Sequence, residues 1–118
     1  MFNALIAEFV RQHDIGNAHV RPEGMDVQLG DLFLHIREYQ GLLTAFMVLG
    51  HVQPVALSRF GDWPVLNLSP VENSDDVLLW AREWVDRLDP VSLGDLIERL
   101  LDCARMLQGN DVPVATSL

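Results

Sequence analysis

The residues of this sequence that could support catalysis or metal binding are four histidines, one cysteine and scattered carboxylates. The histidines are His13, His19, His35 and His51, and their separations of 6, 16 and 16 residues match no compact spacing of metal ligands. His35 alternates with apolar residues in a predicted strand, which is typical of a partly buried or surface imidazole. We therefore predict no metal site.

Neither a catalytic nucleophile nor a cofactor-binding loop can be recognised in the sequence. Cys103 falls among the periodic apolar residues of a predicted helix, which favours a small core residue over a reactive thiol. Asp75 and Asp76 are adjacent, and neighbouring strand residues point to opposite faces, so these carboxylates cannot act as a pair. The sequence has no Gly-rich phosphate loop and no nucleophile elbow. We predict a protein that is not an enzyme and that binds no cofactor.

The charge balance excludes several classes of partner. The 118 residues include 17 acidic and 8 basic side chains, for a formal charge of −9, whereas nucleic acids and anionic membranes attract concentrated positive charge. A single cysteine suits a reducing compartment. Met1–Leu5 lacks the basic start of a signal peptide, and the apolar run Leu42–Gly50 is too short to cross a bilayer. We expect a cytoplasmic protein with no membrane insertion and no nucleic-acid partner.

Helices are predicted at both ends of the chain. The first has an apolar stripe at helical spacing, formed by Phe2, Leu5, Ile6, Phe9 and Val10. Asp89 is suited to cap the last helix, Pro90 to its first position and Gly109 to its end. The stripe of this last helix consists of Leu93, Leu96, Ile97, Leu100, Leu101, Ala104 and Leu107.

A strand-rich region, which starts with Met25–Leu29, contains a predicted hairpin. Gln40-Gly41 can form a two-residue loop between Leu32–Glu38 and Leu42–Val52. This loop fixes a register that pairs His35 with Phe46, Arg37 with Thr44 and Phe33 with Val48. One face of the hairpin is then wholly apolar, while the other mixes apolar and polar residues. The mixed face suits either a partner or a second layer of the same domain, and both alternatives stay open.

Further strands are predicted for Trp63–Leu68 and Asp76–Val85, with a short helix or turn at Pro54–Phe60. The expected fold is α+β, an antiparallel twisted sheet with N- and C-terminal helices in the order α-β-β-β-(α)-β-β-α. Residues 1–109 form a single predicted domain, and residues 110–118 a flexible tail.

This order resembles that of the class I chaperones of bacterial type III secretion. The best local match is Val77–Arg82, followed by Leu88-Asp89-Pro90 and the helix Leu93–Leu107, which resemble the family's last strand, its "L-D" junction and its closing helix. The resemblance spans about residues 1–108. The sequence departs from the family in the middle, where only Pro54–Phe60 is available for the longer second helix usually placed at the dimer interface.

The resemblance implies a homodimer that binds the N-terminal segment of a secreted effector protein in an extended form and keeps it soluble and secretion-competent. Such a segment adds strands to sheet edges and places apolar residues in surface grooves. The predicted effector-binding residues are Phe2, Leu5, Phe33, His35, Phe46 and Val48. The predicted dimer-interface residues are Leu57, Phe60, Trp63, Leu66, Leu68, Trp80 and Trp84.

Two other functions compete with this interpretation. An acidic immunity protein or antitoxin, which binds a folded toxin, would have the same net charge. A small α+β enzyme that uses His35 or His51 with an acid would need a concave pocket holding a titratable group of shifted pKa.

Overall fold

The computed structural model describes residues 2–13, 16–50, 52, 57 and 61–109. The fold is α+β, as predicted. Its elements in chain order are α1 (Phe2–His13), β1 (His19–Arg21), β2 (Gly24–Leu29), β3 (Leu32–Tyr39), β4 (Leu42–Leu49), β5 (Asn67–Pro70), β6 (Val77–Trp84) and α2 (Pro90–Leu107).

The six strands form one antiparallel sheet in the order β1-β2-β3-β4-β6-β5. Both helices contribute to a single core against one face of this sheet, because alternate strand residues point toward them. From β3, β4 and β6 the core receives Leu34, Ile36, Leu43, Ala45, Met47, Leu79 and Ala81. We call this side of the sheet the core face.

The predicted hairpin between β3 and β4 is confirmed, with its register, from the pair His35–Phe46 to the pair Tyr39–Leu42. Gln40 and Gly41 have φ values of 53° and 84°, the left-handed conformation that a tight two-residue loop requires at both positions. His35 pairs with Phe46 and Arg37 with Thr44. The loop chemistry therefore determines which side chains share a face.

The start of α2 is also confirmed. The Asp89 carboxylate accepts a hydrogen bond of 2.8 Å from the Ser92 backbone N–H, and the Ser92 hydroxyl accepts one of 2.9 Å from the Asp89 N–H. This reciprocal capping box satisfies backbone donors that have no partner within the helix. Pro90 occupies the first turn, where its missing N–H costs no hydrogen bond.

Several elements differ from the prediction. The strand expected at Leu42–Val52 ends at Leu49. The strand expected at Trp63–Leu68 is instead Asn67–Pro70, because residues 62–64 form a bend. The strand expected at Asp76–Val85 ends at Trp84 and continues as a 3-10 turn. A short extra strand, β1, pairs with β2 and was not expected, since its three residues are all exposed and show no apolar period. The expectations for Pro54–Phe60, apart from Leu57, and for the tail 110–118 lie outside the described residues.

Candidate partner-binding surfaces

The sheet face opposite the helices, which we call the open face, carries an ordered pattern of side chains. The strand register places these residues in rows that run across β3, β4 and β6. In order along the strands, the rows are Val48 and Leu78, with Phe33 two residues before His35 on β3; then His35, Phe46 and Trp80; then Arg37, Thr44 and Arg82; then Tyr39, Leu42 and Trp84.

Apolar groups on the open face reach the surface. Phe33 is 56% exposed, Val48 50% and Trp84 48%, while Phe46 and Trp80 are partly buried by their neighbours. None of the elements that the structure describes lies over this face. A contiguous exposed apolar surface of this kind is typical of an interaction site.

A carboxylate on β2 organises one side of the open face. The Asp26 carboxylate lies 2.7 Å from the guanidinium of Arg21, 2.7 Å from Nδ1 of His35 and 2.9 Å from the guanidinium of Arg37. Burial raises the pKa of Asp26, but hydrogen bonds from His35 and Arg37 and the two positive charges outweigh this, so the pKa lies below its ordinary value. Asp26 therefore stays ionised and holds the cationic side chains in place.

His35 is positioned as a contact residue on this face. Its Nδ1–H donates a hydrogen bond of 2.7 Å to the Asp26 carboxylate, and the imidazole stacks on the Phe46 ring, with centroids 5.1 Å apart and an interplanar angle of 27°. Because Asp26 also binds two guanidiniums, its charge is shared among three partners. The stacked pair places an imidazole and an aromatic ring side by side on the open face.

A cavity of about 470 Å³ lies on the other side of the sheet, between α1, α2 and the edge of β2 and β3. Its walls are apolar, and its rim includes His13, Asp95 and Glu98. At Gly94 a Cβ would lie 3.1 Å from Nε2 of His13 and 3.7 Å from the Phe9 ring, so the missing side chain lets α1 and α2 approach closely. Sequence reasoning missed this cavity, because no local pattern shows how two helices meet.

The predicted effector-binding residues do not all lie on one surface. Phe33, His35, Phe46 and Val48 share the open face. Phe2 and Leu5 are each 7% exposed and belong to the core between α1 and the sheet. Phe2 also lines a pocket of about 270 Å³ together with Pro22 and Val85, which is separate from the open face.

The predicted dimer-interface residues are likewise divided. Trp80 and Trp84 lie on the open face, and Trp80 is the direct cross-strand neighbour of Phe46. Leu66 is buried, Leu57 packs partly against the core and Leu68 is exposed on β5. Trp63 donates a 2.7 Å hydrogen bond to Glu83. Phe60 lies outside the described residues.

The remaining candidates for chemistry are placed as follows. Cys103 is fully buried in α2, and burial raises the pKa of its thiol to about 11. Among residues 2–13, 16–50 and 61–109, no group of three or more potential ligands could hold a metal ion. Neither helix of that part of the chain has the length and apolarity needed to span a membrane.

Comparison with known proteins gives a consistent result at the level of fold. A chain of the ExoT–SpcS complex from Pseudomonas aeruginosa matches with a TM-score of 0.76 at 21% identity, over 90% of this chain and 96% of that chain. The fold is that of the class I type III secretion chaperones. A chain of the complex between the Yersinia pestis type III secretion chaperone SycH and a fragment of YscM2 matches at 0.73, with 18% identity over 91% of this chain and 99% of that chain.

A chain of the HopA1–SchA chaperone–effector complex gives a TM-score of 0.71 at 14% identity, covering 92% of this chain and 93% of that chain. No protein-family model matches the sequence, and no curated protein matches it. The fold is thus shared with these chains at low sequence identity.

Proposed function

We propose that this protein is a type III secretion chaperone that binds the N-terminal segment of a cognate effector in an extended form. The observation that carries the proposal is the open face, where apolar and aromatic rows are exposed on a chaperone fold. Extended segments gain affinity from such surfaces by placing alternate side chains in successive contacts. Bound in this way, the segment stays soluble and secretion-competent.

The cavity between α1 and α2 supplies a second contact for the same segment. Its walls are lined by apolar groups of Phe9, Val27 and Leu101, and its rim carries Asp95 and Glu98. An apolar side chain followed by a basic residue fits this combination, since the carboxylates would pair with the base.

Homodimer formation is part of the proposal. Of the residues predicted at the dimer interface, Trp80 and Trp84 lie on the open face beside Phe46 and Leu42, where the effector segment is proposed to dock. The proposed dimer contacts are Trp63 and Leu68, which are exposed at the β5 side of the sheet. Neither lies on the open face, since Leu68 pairs with the core residue Leu79 and Trp63 is bonded to Glu83, which pairs with the core residue Leu43. The open face, from Phe33 on β3 to Trp84 on β6, is then left for the effector. Light scattering of the purified protein tests this arrangement, and a monomer would contradict it.

Co-expression with the product of the neighbouring gene tests the chaperone function. We expect the N-terminal segment of that product to co-purify with this protein and to become soluble. If the product co-purifies only as a 1:1 complex of a folded, basic toxin, the immunity-protein alternative is favoured instead. If its solubility is unchanged and nothing co-purifies, the chaperone function is wrong.

A further inference from the structure

The open face has the opposite charge balance to the rest of the chain. The whole sequence has 17 acidic and 8 basic side chains. The strand residues of the open face include Arg21, Arg37 and Arg82, but Asp26 is their only carboxylate. Positive charge is thus concentrated where apolar side chains are exposed.

The three arginines lie in one row across the sheet. Arg21 pairs with Gly24, Gly24 with Arg37, Arg37 with Thr44, and Thr44 with Arg82. A Cβ at Gly24 would lie 2.9 Å from the Arg37 side chain, so the glycine lets this side chain lie flat across β2. The Cα atoms of Arg37 and Arg82 are two strands, or about 10 Å, apart. We call this set the arginine row.

The positive charge of the arginine row is only partly neutralised. Asp26 provides one negative charge for the guanidiniums of both Arg21 and Arg37. Arg82 donates a 3.1 Å hydrogen bond to the Thr44 hydroxyl and lies 4.7 Å above the centre of the Trp80 ring. Within the part of the chain that the structure describes, no carboxylate lies within 4.0 Å of Arg82. A cavity of about 290 Å³ separates Arg37 from Arg82, and its lining also includes Thr44 and Glu38. The Glu38 carboxylate accepts a 2.7 Å hydrogen bond from the Gly41 backbone N–H.

We propose that the arginine row binds an aspartate or glutamate side chain of the docked segment, in the cavity between Arg37 and Arg82. This inference rests on the proposed function and adds a charge requirement to it. Guanidiniums bind carboxylates by paired, charge-assisted hydrogen bonds, and a partly apolar surface strengthens them. The acidic side chain must be flanked by apolar ones, because apolar rows lie on both sides of the arginine row.

The spacing of the rows defines the sequence that fits. Same-face residues of a strand are about 7 Å apart, and an extended segment aligned with the strands has the same repeat. The four rows therefore match a segment with apolar, apolar, acidic and apolar residues at every second position. A second copy of this chain fits less well, since a two-fold contact of the open face on itself brings the two arginine rows together.

The test is an NMR titration with three synthetic peptide amides, SLTLTETLS, SLTLTQTLS and SLTLTKTLS, which differ only at the sixth residue, where the side chain is acidic, neutral or basic. The signals to follow are the Nε–H groups of Arg37 and Arg82 and the indole N–H of Trp80. We expect the glutamate peptide to bind about tenfold more tightly than the glutamine peptide, as a charge-assisted hydrogen bond implies, and the lysine peptide to bind most weakly.

The matched variants are Arg82→Gln and Arg105→Gln, which remove the same charge from the open face and from the exposed side of α2. Arg82→Gln should abolish the preference for glutamate, and Arg105→Gln should retain it. Equal affinity for the three peptides, no binding, or shifts confined to the α1–α2 cavity would overturn the inference. So would concentration-dependent shifts of the same signals without peptide, which would assign the face to a second copy.

The co-purified effector segment separates this inference from the proposed function. If the segment binds the wild type and Arg82→Gln with equal affinity, the charge requirement is wrong while the chaperone function stands. If no segment co-purifies, the function itself fails.

Discussion

The core face and the open face of the sheet come from alternate residues of the same strands, yet they have different physical roles. On β3, Leu34 and Ile36 are fully buried beneath the helices, while Phe33 between Leu32 and Leu34 is 56% exposed. The core face contains only apolar strand residues at its centre, whereas the open face mixes aromatic, apolar and cationic ones. Strand alternation thus separates stability from recognition, and substitutions on the two faces should have separable effects.

Leu100→Asp should have the largest effect, because it places an unpaired carboxylate at a fully buried position of α2. The cost of several kcal/mol is comparable with the whole stability of a typical domain, about 5–15 kcal/mol. Circular dichroism and thermal denaturation should show an unfolded chain. Val91→Asp is the matched control on the same helix, since Val91 is 67% exposed, and it should fold normally. A folded, soluble Leu100→Asp variant would mean that this side of α2 does not face the core.

Phe46→Asp and Phe33→Asp should leave the fold intact and weaken binding of the effector segment. A central aromatic contact often accounts for 1–2 kcal/mol or more, so we expect roughly a tenfold or greater loss of affinity by calorimetry. Val65→Asp adds the same charge at an exposed position outside the open face and should bind normally. Global unfolding of both open-face variants would show instead that this face is packed in the native protein.

The sequence predicts those parts of the fold that depend on local chemistry. The hairpin register follows from Gln40-Gly41, and the start of α2 follows from Asp89 and Pro90, because each depends on residues close together in the chain. β5 was misplaced, since the apolar residues of Trp63–Leu68 suggest a strand although the ladder with β6 begins only at Asn67.

The functional surfaces could be predicted only in part for the same reason. The predicted pairing of Arg37 with Thr44 already places two members of the arginine row. Arg82 joins them through the pairing of β4 with β6, which are far apart in the sequence. The α1–α2 cavity depends on the contact of Gly94 with His13, which no periodic pattern reveals.

Cys103 on α2 reports whether the core between the helices and the sheet is accessible to solvent. Burial raises the pKa of its thiol to about 11, so almost no thiolate exists at neutral pH, and a disulfide reagent should label the folded protein far more slowly than the unfolded one. Since the folded pKa exceeds the unfolded value of 9.0, stability should be unaffected below pH 9 and fall as the pH rises toward 11. Cys103→Ala should lack this alkaline loss. Fast labelling of the native protein at pH 7 would contradict the burial.

Asp89 should give the smallest effect, at the exposed end of α2. Hydrogen bonds from the backbone N–H and hydroxyl of Ser92 hold the pKa of its carboxyl below the ordinary value. Its stabilising effect is therefore present above the unfolded pKa of about 3.8 and is lost as the pH falls through the folded pKa.

Asp89→Ala should lower the Tm by a few degrees at pH 7, because the first turn loses its cap. Asp89→Asn keeps an acceptor for the Ser92 N–H, so its Tm at pH 7 should be close to that of the wild type. It should lack the loss of stability that protonation of Asp89 causes at low pH. If Asp89→Asn and Asp89→Ala destabilise the protein equally, charge rather than capping stabilises this end of the helix.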